Sequence, residues 1–235
     1  MIEIQDLRKV YRVGEEKVVA LDHIVLQVPV GEICCILGTS GSGKSTLLNL
    51  MAGLEKPTRG SITIAGKRVD KMNEKQLAVF RQKKLGFVFQ SYNLLAALTA
   101  LENVSLPLTF RGISHKLRDK RAMEILTAVG LKTHAKHKPT QMSGGQQQRV
   151  GIARAFVAKP AIVFADEPTG NLDTRTTKEI MQLIVGLAHE NNQTLVIVTH
   201  DSNVAEYADR IIHIIDGNVA DIVEQKKNKT EEAEQ

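Results

Sequence analysis

Three short segments of the chain are apolar at nearly every position, and each is followed directly by polar residues. They are residues 33–37, 161–165 and 194–199. Continuous apolarity over so short a run indicates a strand covered on both faces, which is typical of the parallel sheet of an α/β protein. Open sheets of this kind bind ligands at the carboxyl ends of their strands. The sequence therefore predicts a ligand site where these segments end.

The rest of the chain shows two other patterns. Near the amino terminus Ile2 and Ile4 alternate with polar neighbours, and apolar runs follow at residues 18–21 and 24–28. This pattern predicts β-structure. Between residues 91 and 141 no buried-strand pattern occurs and apolar residues recur at helical spacing, which predicts a helical insertion.

The carboxyl-terminal part of the chain has two predicted features. Residues 210–223 hold two apolar runs around Asp216-Gly217, a pattern that indicates a β-hairpin. The charged residues 225–235 are nearly free of apolar side chains and predict a disordered tail. We therefore predict one domain over residues 1–224, in which a helical subdomain at 91–145 interrupts a core.

The composition is that of an ordinary soluble protein, with 235 residues of which 43% are hydrophobic and 24% charged. No apolar run approaches the roughly 18 residues that cross a bilayer, and the start does not resemble a signal peptide. The net charge of +5 is spread among nearly as many acids, which favours a solvated surface and no nucleic-acid partner. Adjacent Cys34 and Cys35 lie in an apolar run and are expected to be buried and reduced.

A glycine-rich segment follows the first apolar run. Residues 38–45 fit the pattern GxxxxGK[ST], between a predicted strand and a helical run. Glycines let backbone amides approach phosphate oxygens, Lys44 can reach the β and γ phosphates, and Ser45 would offer its hydroxyl to Mg²⁺. The alternative, a glycine-rich turn with a chance lysine, is disfavoured by the flanking strand and helix. The predicted phosphate-binding residues are Gly38, Thr39, Ser40, Gly41, Ser42, Gly43, Lys44, Ser45 and Thr46.

Polar residues also follow the other two apolar runs. Asp166 and Glu167 end one strand, and strand alternation gives their carboxylates different directions. Asp166 would hold Mg²⁺, directly or through water, and Glu167 would act as general base on the attacking water. His200 ends the other strand and could contact a γ phosphate. The alternatives are a helix cap for the acids and a structural role for the histidine, the role we also expect for His134 and His137.

These elements indicate an ATPase or a GTPase, and no guanine-specificity motif such as NKxD occurs. The segment at residues 141–149 opens a helical run just before the strand that ends in the acids. Within it Ser143, Gly144, Gly145 and Gln146 resemble the signature sequence of the ATP-binding cassette (ABC) family. A serine-capped helix start with two glycines offers a second anion-binding helix terminus.

The resemblance to the ABC family covers nearly the whole chain. It implies an α/β fold: a P-loop NTPase core with a mostly parallel central sheet, an N-terminal antiparallel β subdomain and a helical insertion. In that fold residues 1–90 and 146–224 would form the core. It also implies ATP and Mg²⁺ as cofactors, and hydrolysis that depends on Lys44, Glu167 and His200.

Three further positions match the same family. Tyr11 resembles the aromatic residue that stacks on adenine, although it could be a plain strand residue. Gln90 resembles the glutamine that senses Mg²⁺ and contacts the membrane partner, although it could be a surface residue. Asp173 resembles the residue that couples two subunits, and it could also cap a helix. Met142 replaces the leucine that usually precedes the signature serine, a swap of similar volume and polarity that should be tolerated. Thr39 replaces a proline that is frequent in the phosphate loop and leaves the loop's donors unaffected.

The resemblance also implies partners. Two copies would pair head to tail with ATP between the phosphate loop of one and the signature helix of the other, and a separate transmembrane permease would hold the dimer at the cytoplasmic face of the membrane. The motifs resemble the branch of macrolide, lipoprotein and antimicrobial-peptide exporters. One alternative is a cell-division ABC ATPase that regulates wall hydrolases without transport. Another is a chromosome, repair or translation ATPase, which the absence of coiled coils and of a second cassette disfavours.

Overall fold

The structure, a computed structural model, describes residues 1–225. The strands are β1 (Ile2–Val13), β2 (Glu16–Val28), β3 (Ile33–Leu37), β4 (Arg59–Ile64), β5 (Lys67–Arg68), β6 (Leu85–Phe89), β7 (Ile162–Asp166), β8 (Thr194–Thr199), β9 (Arg210–Ile215) and β10 (Asn218–Glu224). The helices are α1 (Lys44–Met51), α2 (Glu74–Lys84), α3 (Ala100–Phe110), α4 (His115–Ala128), α5 (Gly144–Phe156), α6 (Thr174–Glu190) and α7 (Ser202–Ala205). The predicted tail, apart from Gln225, lies outside the described residues.

The central sheet has the strand order β10-β9-β3-β8-β7-β6. The strands β9, β3, β8, β7 and β6 are parallel, and β10 pairs antiparallel with β9. Every residue of β8 is buried, and so are four of the five residues in β3 and in β7. Helices cover both faces of these strands, which explains why the three segments are apolar without alternation.

The last two strands form the predicted hairpin. Ile215 pairs with Asn218 across a two-residue turn. Both turn residues have left-handed φ, 46° for Asp216 and 76° for Gly217. An Asp-Gly turn with this backbone matches the twist of an antiparallel pair.

A second, antiparallel sheet has the order β2-β1-β4-β5 and shares a hydrophobic core with α1. The apolar runs at 18–21 and 24–28 belong to one continuous strand, β2, and not to two. His23 lies between them with a φ of 49°, and the β1–β2 pairing shifts register in this region. An irregularity of this kind bends a strand without ending it.

The segment between β6 and α5 is mainly helical. The helices α3 and α4 pack against α5 through Val104, Leu108, Ala122 and Leu126. The buried amide of Asn103 donates to the carbonyl oxygens of Leu95, Leu98 and Thr99, and so fixes the loop before α3. No helix within residues 1–225 combines the length and the apolarity that a bilayer crossing requires.

The two cysteines are buried free thiols on opposite faces of β3. Cys34 packs into the core shared with the antiparallel sheet, and Cys35 packs into the core on the other face. Burial raises the pKa of Cys35 to about 12. Both side chains therefore act as small core residues, as the sequence predicted.

Candidate active site

The glycine-rich loop joins β3 to α1 at the carboxyl edge of the central sheet. Gly43 precedes α1 with a φ of 103°, and a Cβ there would lie 2.6 Å from the carbonyl oxygen of Ala20. A Cβ on Gly38 would collide with the carbonyl oxygen of Ile214. Backbone atoms of β2 and β9 thus lie against the loop and leave no room for a side chain, so glycine is required at both positions.

Lys44 begins α1 and folds back over this loop. Its Nζ atom donates to the carbonyl oxygens of Gly38 and Thr39, each at 2.7 Å. Only 7% of the residue is exposed. The ammonium group is therefore held in place next to backbone amides that can bind phosphate.

A cavity of about 770 Å³ opens above the loop. It is lined by Ala20, Leu37, Gly38, Thr39, Ser40, Gly41, Gly43, Lys44, Ser45, Thr46, Glu167, His200, Ser202, His213, Ile214 and Ile215. The structure therefore brings most of the predicted phosphate loop together with the predicted base and histidine. Ser42, the one predicted loop residue that does not line the cavity, is buried.

Glu167 leaves β7 with a left-handed φ of 44°, and its backbone N–H donates to the carbonyl oxygen of Val198 at 2.8 Å. This conformation is uncommon for a residue other than glycine, and such strain tends to occur at functional sites. The carboxylate accepts a hydrogen bond from Thr199 Oγ1 at 2.9 Å, and its other oxygen lies 2.7 Å from Nδ1 of His200. Thr199 and His200 thus fix both oxygens of the predicted base.

Asp166 ends β7 and does not line the cavity. Burial and the nearby Glu167 carboxylate raise the pKa of Asp166, and Lys44 opposes this shift. No ion pair involving Asp166 occurs among residues 1–225. A half-buried carboxylate without an ion-pair partner in the described chain, and the Ser45 hydroxyl that lines the cavity, are oxygen ligands of the kind that Mg²⁺ prefers.

We expect Asp166→Asn to raise the free energy of unfolding near pH 7.5, in the absence of nucleotide and magnesium, and to raise it less near pH 4. A raised pKa means that the folded state favours the protonated acid. The ionised Asp166 carboxylate therefore lowers the free energy of unfolding, and this effect grows as pH rises from the unfolded pKa of about 3.9 to the folded pKa. Urea unfolding at pH 7.5 and near pH 4 measures it, with exposed Asp221→Asn as control. An equal effect at both pH values would contradict the prediction.

The signature segment forms the amino terminus of α5. Ser143 Oγ accepts from the N–H of Gln146 at 3.3 Å, and Gln146 Oε1 accepts from the N–H of Ser143 at 2.9 Å. This capping box confirms the predicted serine-capped helix start. Gln146 Nε2 lies 3.2 Å from Nε2 of His134. None of residues 143–146 lines the phosphate-loop cavity, so the two predicted anion-binding helix termini do not share one cavity within the chain.

The other predicted site residues, Tyr11, Gln90 and Asp173, do not line the cavity. Tyr11 donates to Glu55 Oε2 at 2.7 Å, and its ring lies beneath Lys9, whose Nζ is 4.8 Å from the ring centroid. Burial and, to a lesser extent, the hydrogen bond to Glu55 raise the pKa of Tyr11, whereas a hydrogen bond with Thr46 lowers it. Tyr11 therefore adjoins Thr46, which does line the cavity.

Gln90 directly follows β6, and Asp173 directly precedes α6. The Nε2 atom of Gln90 donates to Asn171 Oδ1 at 3.4 Å while Asn171 Nδ2 donates to the Gln90 carbonyl at 3.1 Å. Asp173 caps α6 by accepting from the N–H groups of Arg175 and Thr176. Hydrogen bonds from Thr176 lower the pKa of Asp173.

Several residues at the site were not predicted from sequence. Ala20, Ser202 and His213 line the cavity, and Thr199 orients Glu167. Thr199 could have been predicted as a site residue, because it is the last residue of a buried strand and directly precedes His200. The others come from separate elements and carry no motif. His134 and His137 pack edge to face with ring centroids 5.0 Å apart, and no metal-ligand cluster of three or more residues occurs within residues 1–225.

An α/β sheet that delivers a phosphate loop, an acid pair and a histidine to one edge defines a phosphate-loop nucleotide hydrolase. The family model described as ABC transporter matches residues 21–170, more than half of the chain. The chain therefore belongs to the ABC transporter family, in which it is an ATP-binding and ATP-hydrolysing cassette. The family and the fold class predicted from sequence are confirmed.

Known proteins resemble most of the chain. The lipoprotein-releasing system ATP-binding protein LolD of Chromohalobacter salexigens is 44% identical over 94% of this chain and 93% of its own length. The macrolide export ATP-binding/permease protein MacB of Syntrophobacter fumaroxidans is 46% identical over 92% of this chain, which matches 31% of MacB. A dimeric structure of the Methanocaldococcus jannaschii cassette MJ0796, in a post-hydrolysis state with ADP and Pi, has a TM-score of 0.89, with 45% identity over 96% of this chain and 99% of that chain.

Proposed function

We propose that this chain is the ATPase subunit of an exporter of the macrolide, lipoprotein or antimicrobial-peptide type. It would dimerise on ATP and drive a separate transmembrane permease at the cytoplasmic face of the membrane. The observation that carries the proposal is the convergence of Lys44, Glu167 and His200 on one cavity. The similarity to LolD and MacB supports the branch.

Each residue at the cavity has its own role in the proposed reaction. Lys44 and the loop amides bind the phosphates, and Glu167 accepts a proton from the attacking water. His200 would contact the γ phosphate. Mg²⁺, held by Ser45 and Asp166 with Gln90 close by, would neutralise negative charge on the phosphates when bound. Tyr11, next to Thr46, would pack against the adenine.

The separation of the two helix termini supports the proposed dimer. The signature helix starts outside the phosphate-loop cavity, so Ser143 and the following amides can bind an anion held by another molecule. A head-to-tail pair would place ATP between the loop of one copy and the signature of its partner, with Asp173 close to the shared interface. The dimeric structure of the MJ0796 cassette with ADP and Pi supports the pairing of two copies.

A complementation experiment tests the composite site. We expect Lys44→Met and Ser143→Asp each to lose most ATPase activity, because one lacks the phosphate cation and the other places a negative charge where phosphate would bind. Aspartate remains a good helix cap, so α5 should stay folded. Mixing the two variants creates heterodimers in which one of two sites is intact. The mixture is expected to recover at least about tenfold over either variant alone.

The matched control mixes two Lys44→Met preparations that carry different tags, in which no site is intact. Circular dichroism and melting temperature check that each variant is folded. Activity in the mixture no greater than in the separate variants would show that each chain hydrolyses ATP with its own residues only, and would overturn the composite site.

The proposed permease surface is an apolar groove of about 420 Å³ between the core and the helical insertion. It is lined by residues that include Leu54, Phe87, Phe89, Leu106 and Phe110, of which Leu54 is 53% and Phe110 68% exposed. Exposed apolar side chains in one groove indicate an interaction site. Phe89 pairs in register with Asp166, and Gln90 follows it directly. A partner seated in the groove would therefore contact a strand that leads to the nucleotide site.

A further inference from the structure

A separate shallow cavity of about 470 Å³ lies along α2 and shares no lining residue with the phosphate-loop cavity. Its lining combines apolar side chains with amines and contains no acid. The apolar lining residues are Met72, Val79 and Phe80, and the amines belong to Lys67, Lys75, Lys83 and Lys84. We call this set the lysine patch.

The charges of the lysine patch are not neutralised within the described chain. All four lysines are exposed, and none forms an ion pair with a carboxylate in residues 1–225. Two acids adjoin the patch in sequence. Asp70 is paired with Arg68 through two hydrogen bonds, and Glu74, which precedes Lys75, forms no ion pair in residues 1–225. Four unpaired ammonium groups around one cavity create a positive potential that favours an anionic occupant.

The centre of the patch is apolar. Lys75, Val79 and Lys83 lie four residues apart on α2 and so form one stripe along the helix. Val79 is 49% exposed between the two lysines, and half-buried Met72 adjoins it in the cavity. Lysine stems can cover apolar surface while their ammonium groups stay in water. An apolar centre between amines is the pattern of a helix face that lies at a membrane interface.

Other anionic partners fit this surface less well. The only aromatic residue in the lining, Phe80, is 6% exposed and presents no face on which a base could stack. The lining also lacks arginine, the residue that forms paired hydrogen bonds with carboxylates in acidic peptides. Lysines act as point charges that suit lipid phosphates, and Val79 can enter the boundary between headgroups and acyl chains.

The position of the patch next to the proposed permease groove is consistent with contact to a lipid surface. The neighbouring helix residues Arg81 and Gln82 line the apolar groove assigned above to the permease. A membrane subunit bound in that groove would bring α2 close to the bilayer, and in this respect the inference rests on the proposed function. We propose that the lysine patch binds the anionic phospholipid surface of the bilayer beside the permease.

Vesicle flotation with the full chain tests the proposal. Wild-type protein is expected to float with vesicles of equal parts phosphatidylglycerol and phosphatidylcholine, and not with pure phosphatidylcholine. One lysine near an anionic surface contributes about a fivefold gain in binding, so the double variant Lys75→Gln with Lys83→Gln should bind about 20- to 30-fold more weakly. Val79→Ser should also weaken binding, and added salt should release the wild type.

The matched control is Lys116→Gln with Lys120→Gln, two exposed lysines on α4 outside the patch. The control should float like wild type. Equal loss in both double variants would show a general charge effect and overturn the proposal, and so would undiminished flotation of the patch variant. Full competition by millimolar inorganic phosphate, or patch-dependent binding of duplex DNA tighter than that of the vesicles, would assign the patch to another ligand and overturn it.

ATPase activity distinguishes this inference from the proposed function. The patch variant should hydrolyse ATP at the wild-type rate in solution, because its lysines do not line the nucleotide cavity. Loss of flotation with normal ATPase activity supports the lysine patch. Failure of the complementation experiment, with vesicle binding still dependent on the patch, would remove the composite ATP site but keep the lipid contact.

Discussion

Glu167→Gln is expected to slow ATP hydrolysis by about 10²- to 10⁴-fold while ATP still binds. Glutamine has nearly the same shape, and its carbonyl oxygen can still accept the hydrogen bond from Thr199. The amide cannot, however, accept a proton from the attacking water. ATP should then persist between two chains and hold them together. Steady-state turnover measures the first effect, and size exclusion with ATP and magnesium measures the second.

The control for this variant is Glu190→Gln, which removes a carboxylate at the last residue of α6. It should hydrolyse ATP at the wild-type rate and should not accumulate as a dimer. If Glu167→Gln stays monomeric with ATP and magnesium, ATP does not join two copies. If it hydrolyses ATP at a normal rate, Glu167 is not the base.

Lys44→Met is expected to weaken ATP binding by about 30- to 5,000-fold, which corresponds to the roughly 2–5 kcal/mol lost when a buried charge pair is truncated. Lys44 is buried, with 7% of the residue exposed, and its ammonium group lies against the loop. Methionine keeps most of the side-chain stem but leaves the carbonyl oxygens of Gly38 and Thr39 without their donor. Isothermal titration with ATP and magnesium measures the affinity.

The melting temperature separates a binding defect from unfolding. Loss of the two hydrogen bonds should cost about 1–3 kcal/mol of stability, which leaves a folded protein at 25 °C. The control, Lys120→Met, changes an exposed lysine on α4 and should bind ATP normally. Unchanged affinity in folded Lys44→Met protein would remove Lys44 from the phosphate site.

The sequence and the structure agree best where the signal is local. The phosphate loop needs glycine at Gly38 and Gly43 because strands press against it, and it needs the helix that follows. These requirements leave a fixed spacing in the chain. The serine cap at Ser143 is also local, because its partner Gln146 lies three residues away. Such local features can be predicted from the sequence alone.

Residues brought together from distant parts of the chain could not be predicted in the same way. His213 lies beside the phosphate loop because β9 pairs with β3, although 176 residues separate His213 from Leu37, its partner in register. The pairing of Asn171 with Gln90 joins residues 81 positions apart. Neither contact leaves a periodic pattern, because each depends on strand order and loop path.

The sequence by itself determined the fold class, the phosphate loop, the acid pair, the histidine and the signature helix, because each depends on residue type at short spacing. Only the tertiary structure decided the sheet order, the additional residues that line the cavity, and the separation of the signature helix from the phosphate loop. It also decided that four lysines from β5 and α2 surround one apolar centre. Packing of distant segments sets these features, and local sequence does not encode that packing.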